Sequence, residues 1–113
     1  MRKLKVYIAG PYTKGDVGLN VREAMNVAEI CFNAGLVPFI PHLTHFQHLL
    51  HPREYQEWLD YDLEWLPLCD ILVRIPGTSS GADKEVEVAK ELNMLVLTLD
   101  EFLGYIRKKD FGF

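Results

Sequence analysis

The spacing of apolar residues alternates along this chain between short continuous runs and helical spacing, and no other feature constrains the fold as strongly. Apolar, β-rich runs occur at residues 4–9, 36–40, 71–75 and 95–97. Between them, apolar residues recur every three or four positions, which is typical of one buried helical face. Strands joined by such crossovers pair in parallel, with helices on both faces of the sheet. The alternation therefore predicts a single α/β domain over residues 1–113, with a doubly wound parallel sheet of four to five strands.

Local signals predict where several of these elements begin and end. The first helix is expected to have Asn20 as its N-cap and to end at Gly35. Pro38 places the second strand near an edge of the sheet. Residues 41–53, which begin and end near prolines, are predicted to be irregular. The buried face of the first helix should carry Val21, Ala24, Met25, Ala28, Cys31 and Phe32.

The composition is that of a globular protein, with 49% hydrophobic and 25% charged residues. The net charge of −4 excludes electrostatic wrapping of polymeric nucleic acid, because such binders need a basic surface. No apolar run approaches the roughly 18 residues that a membrane span requires, so no membrane partner is expected. Cys31 and Cys69 form no C-x-x-C pair and are interpreted as structural, which favours a reducing cytoplasm.

In a doubly wound sheet, ligands bind at the carboxyl ends of the strands. Here those ends carry Gly10-Pro11-Tyr12 and the small-residue turn Gly77–Gly81. Gly10 and Gly15 have the outer spacing of a P-loop, but Asp16 and Val17 follow where Lys and Ser or Thr are required. What remains is a glycine beside an aromatic ring, which suits a base or a sugar, or an ordinary strand–helix turn.

Two acidic residues, Asp62 and Glu85, occupy positions where the helical periodicity calls for an apolar side chain. A carboxylate in a low-dielectric region is costly unless it is paired, hydrogen-bonded or protonated. Two of them near one crevice are typical of a site that separates their pKa values into an acid and a nucleophile. The alternative is that each acid lies at the edge of its apolar stripe and reaches water or a basic partner.

The turn Gly77–Ala82 runs from a predicted buried strand into a helix. Its backbone N–H groups and hydroxyls suit an anion such as a phosphate. N-capping by Ser79 or Ser80 would explain the same residues without a ligand.

Histidines recur every three residues at positions 42, 45, 48 and 51. On a helix this spacing turns each ring by about 60° relative to the one before, so the four rings would not converge on a metal ion. We therefore expect no metal site. The segment either faces the substrate with one working histidine, His42 or His45, or carries plain surface residues.

A family resemblance is carried by three segments that lie in order on the predicted elements. They are Val6–Tyr12, Asp62–Ile71 and Gly77–Ala89. Together they resemble the nucleoside 2-deoxyribosyltransferase superfamily, which includes the 2'-deoxynucleoside 5'-phosphate N-hydrolases. The resemblance implies a flavodoxin-like (Rossmann-like) domain that breaks the bond between a base and deoxyribose through a covalent glycosyl-enzyme, without a metal or organic cofactor.

The resemblance also implies roles for individual residues. Glu85 is similar to the nucleophile that attacks the anomeric carbon. Asp62 is similar to the acidic partner that supports sugar binding or protonates the leaving base. Tyr7 and Gly10 resemble first-strand residues that line the sugar and base pocket.

Ser79 and Gly81 resemble the phosphate-contacting turn of the nucleotide hydrolases. The sequence departs from those hydrolases at Pro11 and Tyr12, and again at Asp83-Lys84. Asp83 would place a negative charge near any phosphate. We expect further substrate contacts from Pro11, Tyr12, His42, Gly77 and Ser80.

The function predicted from these residues and the resemblance is hydrolysis of the N-glycosidic bond of a 2'-deoxynucleoside or its 5'-monophosphate. Hydrolysis is preferred because the chain is short and its ends carry no clear acceptor-positioning motif. Base exchange between nucleosides and non-catalytic nucleotide binding stay open as alternatives. A homodimer or larger homo-oligomer is expected, because one narrow helical face does not need all of Tyr55, Trp58, Trp65 and Leu66.

Overall fold

The described residues fold around a sheet of four parallel strands. The computed structural model describes residues 2–111, with side chains up to residue 108. The strands are β1 (Lys5–Ala9), β2 (Val37–Phe39), β3 (Ile71–Arg74) and β4 (Leu95–Thr98), in the spatial order β2-β1-β3-β4. The predicted doubly wound α/β fold is confirmed, with the lower of the two predicted strand numbers. The second strand lies at an edge, as Pro38 indicated.

Helices cover both faces of this sheet. They are α1 (Val17–Asn33), α2 (Thr44–Leu50), α3 (Tyr55–Trp65), α4 (Ser80–Glu91) and α5 (Leu99–Phe111). Short 3-10 turns at Pro41–Leu43 and Leu66–Leu68 precede α2 and follow α3.

The first helix begins four residues earlier than the sequence predicted. Its N-cap is Asp16, whose side chain accepts a hydrogen bond from the backbone of Leu19 at 2.9 Å. The prediction of Asn20 as N-cap is wrong because the Asn20 amide is used elsewhere. It donates to the carbonyls of Tyr12 at 3.0 Å and Lys14 at 2.8 Å, and so holds the β1–α1 loop.

The buried face of α1 is also rotated relative to the prediction. Met25 and Phe32 are 48% and 62% exposed, so their assignment to the core is wrong. The helix ends as predicted, with Gly35 just beyond it at a φ of 76°, a conformation that favours glycine. The buried side chains are Val21, Ala24, Val27, Ala28 and Cys31.

Alternate residues of β1 supply the two halves of the core. Val6 and Ile8 point to one face and pack with α1 and with Phe102 of α5. Tyr7 and Ala9 point to the other face, where the buried partners come from β3, α4 and the turn after α3. The second face is the one that reaches the candidate site.

The segment 41–53, predicted to be irregular, is largely helical. Pro41 opens the 3-10 turn, a position at which the missing N–H costs nothing, and its carbonyl accepts a hydrogen bond from the Thr44 hydroxyl at 2.9 Å. No residue of α2 is buried. Because α2 has no buried stripe, hydrophobic periodicity could not reveal it.

The residues assigned to an oligomer contact do not all reach the surface. Leu66 is fully buried in the core, so its assignment to a contact is wrong. Tyr55 and Trp65 are 49% and 41% exposed, and Trp58 is half-buried. The oligomer itself stays a prediction. Within residues 2–111, none of the helices has the length and hydropathy that crossing a bilayer demands.

Candidate active site

An open pocket lies where the chain leaves the carboxyl ends of β1 and β3. Its wall includes Gly10 and Tyr12 after β1, His42 after β2, and Asp62 on α3, and it is closed by the first turns of α4. The strand order reverses between β1 and β3, which is where doubly wound sheets bind ligands. The pocket therefore lies at the strand ends, where the sequence predicted a ligand crevice.

The two acids singled out in the sequence both line this pocket. Glu85 is 6% exposed, and its Oε2 accepts a hydrogen bond from the hydroxyl of the fully buried Tyr7. Asp62 is half-buried, and its Oδ1 is buried without a hydrogen-bond partner among the described residues. Among residues 2–108 neither acid forms an ion pair, so a basic partner, one form of the alternative, is not observed there.

Burial raises the pKa of both carboxyl groups. The pKa of Glu85 rises to about 7, although the hydrogen bond from Tyr7 and the charge of Arg74 oppose the rise. The pKa of Asp62 rises to about 8 through burial, with repulsion from Glu85 adding to it. Burial and the two neighbouring carboxylates raise the pKa of Tyr7 far above its ordinary value. Near neutral pH the pocket thus holds one carboxyl that retains its proton and one that can ionise.

His42 also lines this pocket, and one of its two ring nitrogens has no hydrogen-bond partner among the described residues. It is 5% exposed, and its Nε2 must donate to the carbonyl of Pro11, 3.0 Å away, because a carbonyl only accepts. The other nitrogen, Nδ1, is buried without a partner among the described residues. Burial lowers the pKa of His42, so the ring is neutral and Nδ1 is an acceptor.

The remaining histidines have separate partners and do not converge. His45 Nδ1 lies 2.7 Å from the hydroxyl of Tyr12, which is itself on the pocket wall. His48 Nδ1 accepts from the indole of Trp58 at 2.9 Å. Among the described residues, no group of three or more His, Cys, Asp or Glu side chains is placed to hold a metal ion.

The turn before α4 is capped by its own serine. The hydroxyl of Ser79 accepts from the backbone of Ala82 at 3.1 Å, so N-capping by Ser79, one of the two readings of this turn, is observed. Ser79 and Gly81 also line the pocket. A Cβ on Gly81 would overlap the hydroxyl of Tyr55, so this glycine admits Tyr55 to the pocket wall.

Four residues expected to contact substrate lie off the pocket wall, and one of them is Tyr7, which is fully buried and reaches the pocket only through Glu85. Gly77 has a φ of 123°, and a Cβ there would lie 2.7 Å from Cγ of Pro11, so the two support each other behind the wall. Ser80 is exposed at the start of α4 and does not line the pocket. Pro11 contributes its carbonyl to His42. These positions shape the pocket edge without forming its surface.

Sequence reasoning missed one charged residue near the site, Arg74 at the end of β3. Its guanidinium donates to the carbonyls of Ile75 and Gly77 and to the carboxylate of Asp83. The only available signal was an arginine at the end of an otherwise apolar strand.

The two cysteines lie outside the pocket wall. Cys31 is buried in the core and Cys69 is partly buried, and both are free thiols. Burial raises the pKa of each thiol to about 11, which keeps them protonated and unreactive.

Solved structures with a similar fold are 2-deoxyribosyltransferases. The enzyme from the psychrotolerant bacterium Bacillus psychrosaccharolyticus superposes with a TM-score of 0.62 at 21% identity, covering 83% of this chain and 70% of its own. The 2-desoxiribosyltransferase from Leishmania mexicana gives a TM-score of 0.62 at 22% identity, covering 84% of this chain and 63% of its own. At these identities the likeness is one of fold. It agrees with the fold that the resemblance implied.

A search of curated proteins gave no significant match. A family model described as "Domain of unknown function (DUF7768)" matches residues 4–99, which include every strand and every residue of the pocket wall. The chain belongs to that family.

Proposed function

We propose that the protein cleaves the N-glycosidic bond of a 2'-deoxynucleoside or its 5'-monophosphate, with Glu85 as nucleophile. The observation that carries the proposal is the buried Glu85, held by the Tyr7 hydroxyl and facing the same pocket as Asp62. A fold shared with two 2-deoxyribosyltransferases supports the choice of reaction. Two carboxyl groups with separated protonation states are what a retaining glycosidic displacement requires.

In the first step a carboxylate oxygen of Glu85 forms a bond to the anomeric carbon. The bond between that carbon and the base nitrogen breaks, and its electron pair leaves with the base. Asp62 gives its proton to the base as that bond breaks, which makes the base a better leaving group and leaves Asp62 ionised. The hydrogen bond from Tyr7 holds Glu85 in place for this attack.

In the second step water attacks the anomeric carbon and the bond to Glu85 breaks. The ionised Asp62 accepts a proton from that water, so both carboxyl groups return to their starting states. Attack from opposite faces in the two steps gives net retention at the anomeric carbon.

The rest of the pocket wall suits a flat heterocycle. Tyr12 and Trp58 present aromatic surface, and the buried Nδ1 of His42 offers one acceptor for an N–H group. A planar base that donates one hydrogen bond would satisfy that acceptor, which is otherwise costly to bury.

Base exchange is a second candidate, favoured by the reaction named for the two structural neighbours. The first step would be the same, and a second base would take the place of water. The two candidates therefore share Glu85, Tyr7 and Asp62 and differ only in the acceptor.

A substrate panel tests the proposal and separates the two candidates. The four common 2'-deoxynucleosides and their 5'-monophosphates are incubated with the protein, with and without a second free base, and products are separated by chromatography. Free base and deoxyribose in the absence of a second base indicate hydrolysis. A new nucleoside that forms only with the second base indicates exchange.

The variant Glu85→Gln identifies the residue responsible. It should lose at least about 10³-fold in rate, as expected on removal of a nucleophile. Glu87→Gln, an equal change at an exposed position of the same helix, should keep the wild-type rate. Unchanged base release by Glu85→Gln, or no base release by the wild-type protein with any substrate, would overturn the proposal.

A further inference from the structure

The charged groups on the pocket wall are all acidic. Glu85 and Asp62 are the ionisable carboxyl groups, and no Lys or Arg lies on the wall among the described residues. His42 is neutral, because burial lowers its pKa and its Nδ1 is an acceptor. A phosphate dianion entering this pocket would meet carboxyl groups and aromatic rings on the wall itself. The exposed Arg53 lies outside the wall, with its guanidinium 5.4 Å from the centre of the Trp58 ring.

A guanidinium does lie close by, but the chain itself occupies it. Arg74 has a side chain only 18% exposed. It donates to the carbonyl of Ile75, to that of Gly77 at 3.0 Å and to Oδ1 of Asp83 at 3.0 Å. Two carbonyls and a carboxylate thus already use the hydrogen-bond donors that this guanidinium could offer to a phosphate.

The start of α4 is occupied in the same way. The Ser79 hydroxyl accepts the N–H of Ala82, and the N–H of Asp83 donates to the Ser79 carbonyl at 3.0 Å. The carboxylate of Asp83 sits in the first turn, where the helix dipole favours a negative charge. An anion bound at this helix start would therefore lie near a carboxylate of the chain itself.

We propose that the pocket selects the uncharged 2'-deoxynucleoside over its 5'-monophosphate, and that Asp83 is a specificity-determining residue because it occupies Arg74 and the first turn of α4. This inference rests on the proposed function. Of the two proposed substrate classes, the 2'-deoxynucleosides and their 5'-monophosphates, it selects the first. Asp83 is not on the pocket wall, so it acts through Arg74 and through its charge.

The first measurement is kcat/KM of the wild-type protein for matched nucleoside and monophosphate pairs. The nucleoside should be preferred by about tenfold or more, the discrimination expected when like charges are juxtaposed. Equal rates, or a preference for the monophosphate, would overturn the inference while leaving the proposed function intact.

The second measurement follows how charge substitutions change that preference. Asp83→Asn should raise kcat/KM for the monophosphate about fivefold relative to the nucleoside, since it frees Arg74 and removes a negative charge. Glu87→Gln makes the same change in net charge farther along α4 and should leave the ratio unchanged. In the double variant Arg74→Gln/Asp83→Asn this relative gain in kcat/KM for the monophosphate should be smaller, because the guanidinium of Arg74 is no longer present. A ratio unmoved by Asp83→Asn, or moved equally by Glu87→Gln, would show that Asp83 does not set specificity.

A binding measurement tests the substrate preference independently of catalytic turnover. Calorimetric titration of the Glu85→Gln variant with each deoxynucleoside and its monophosphate should give tighter binding of the nucleoside. Tighter or equal binding of the monophosphate would overturn the inference. Selective nucleoside binding by Glu85→Gln, together with no base release by the wild-type protein, would support the inference and overturn the proposed function.

Discussion

The two faces of the sheet are built from the same strands but bury different chemistry. On the face covered by α1 and α5, Val6 and Ile8 pack with Phe102 in a cluster made of buried apolar residues. On the other face, Tyr7 carries a hydroxyl into the interior, and Glu85 accepts a hydrogen bond from it. One strand with alternating side chains therefore contributes apolar core on one side, and on the other side it contributes the hydroxyl that holds a carboxyl group of the pocket wall.

This difference assigns stability mainly to the residues on one face of the sheet and activity mainly to those on the other. Buried apolar contacts stabilise the folded state without a chemical role. Buried carboxyl groups cost free energy, which is seen here as pKa values of about 7 for Glu85 and about 8 for Asp62. Substitutions on the first face should therefore reduce stability, and substitutions on the second should reduce activity.

The largest expected effect is on the apolar face. Phe102→Ala removes a fully buried aromatic side chain and should lower the free energy of unfolding by about 3–5 kcal/mol, measured by chemical denaturation. Phe46→Ala, at a position that is 57% exposed on α2, should change it by less than about 0.5 kcal/mol. Equal losses from the two variants would contradict the assignment of the core.

The next effect is on the pocket face. Asp62→Asn should reduce kcat for base release by about 10²-fold or more, because the amide cannot supply a proton. The unfolding free energy should not fall, since the amide does not ionise, whereas burial and the charge of Glu85 disfavour the ionised form of Asp62 in the folded state. Asp60→Asn, an exposed position on the same helix, is the matched control. A loss of stability in Asp62→Asn without a loss of rate would contradict the assignment of activity to the pocket face.

The smallest effect concerns the pH dependence of the reaction. Activity should need ionised Glu85 and protonated Asp62, so kcat/KM should rise near pH 7 and fall near pH 8. The Tyr7 hydrogen bond lowers the pKa of Glu85, while Asp62 and Arg74 also face that carboxyl. Tyr7→Phe should therefore raise the pKa of Glu85 and move the rising limb up by about one pH unit. A rising limb that stays in place, or moves down, would show that Tyr7 does not act on the ionisation of Glu85.

Much of the fold could be predicted from local pattern, because β1 and β3 are largely buried and α1 and α4 each bury one face. The helix α2 was missed because it has only seven residues and its large apolar side chains are exposed, whereas those of α3 are in part half-buried. The start of α1 was misplaced because Asn20 holds a loop. The acids Asp62 and Glu85 were found because each interrupts an apolar stripe. The contact between Tyr7 and Glu85 was not found, since it joins residues 78 apart in the sequence. The contacts of Arg74 depend on the conformation of a turn, which composition does not reveal.

The most direct test of Glu85 as a nucleophile is the anomeric configuration of the product formed with methanol as a competing acceptor. A β-2'-deoxynucleoside is cleaved in aqueous methanol, and the methyl 2-deoxyriboside is examined by NMR. A covalent intermediate on Glu85 requires two displacements, so the account predicts the β-glycoside, with retained configuration. Formation of the α-glycoside would mean a single displacement by the acceptor and would contradict the role of Glu85 as nucleophile.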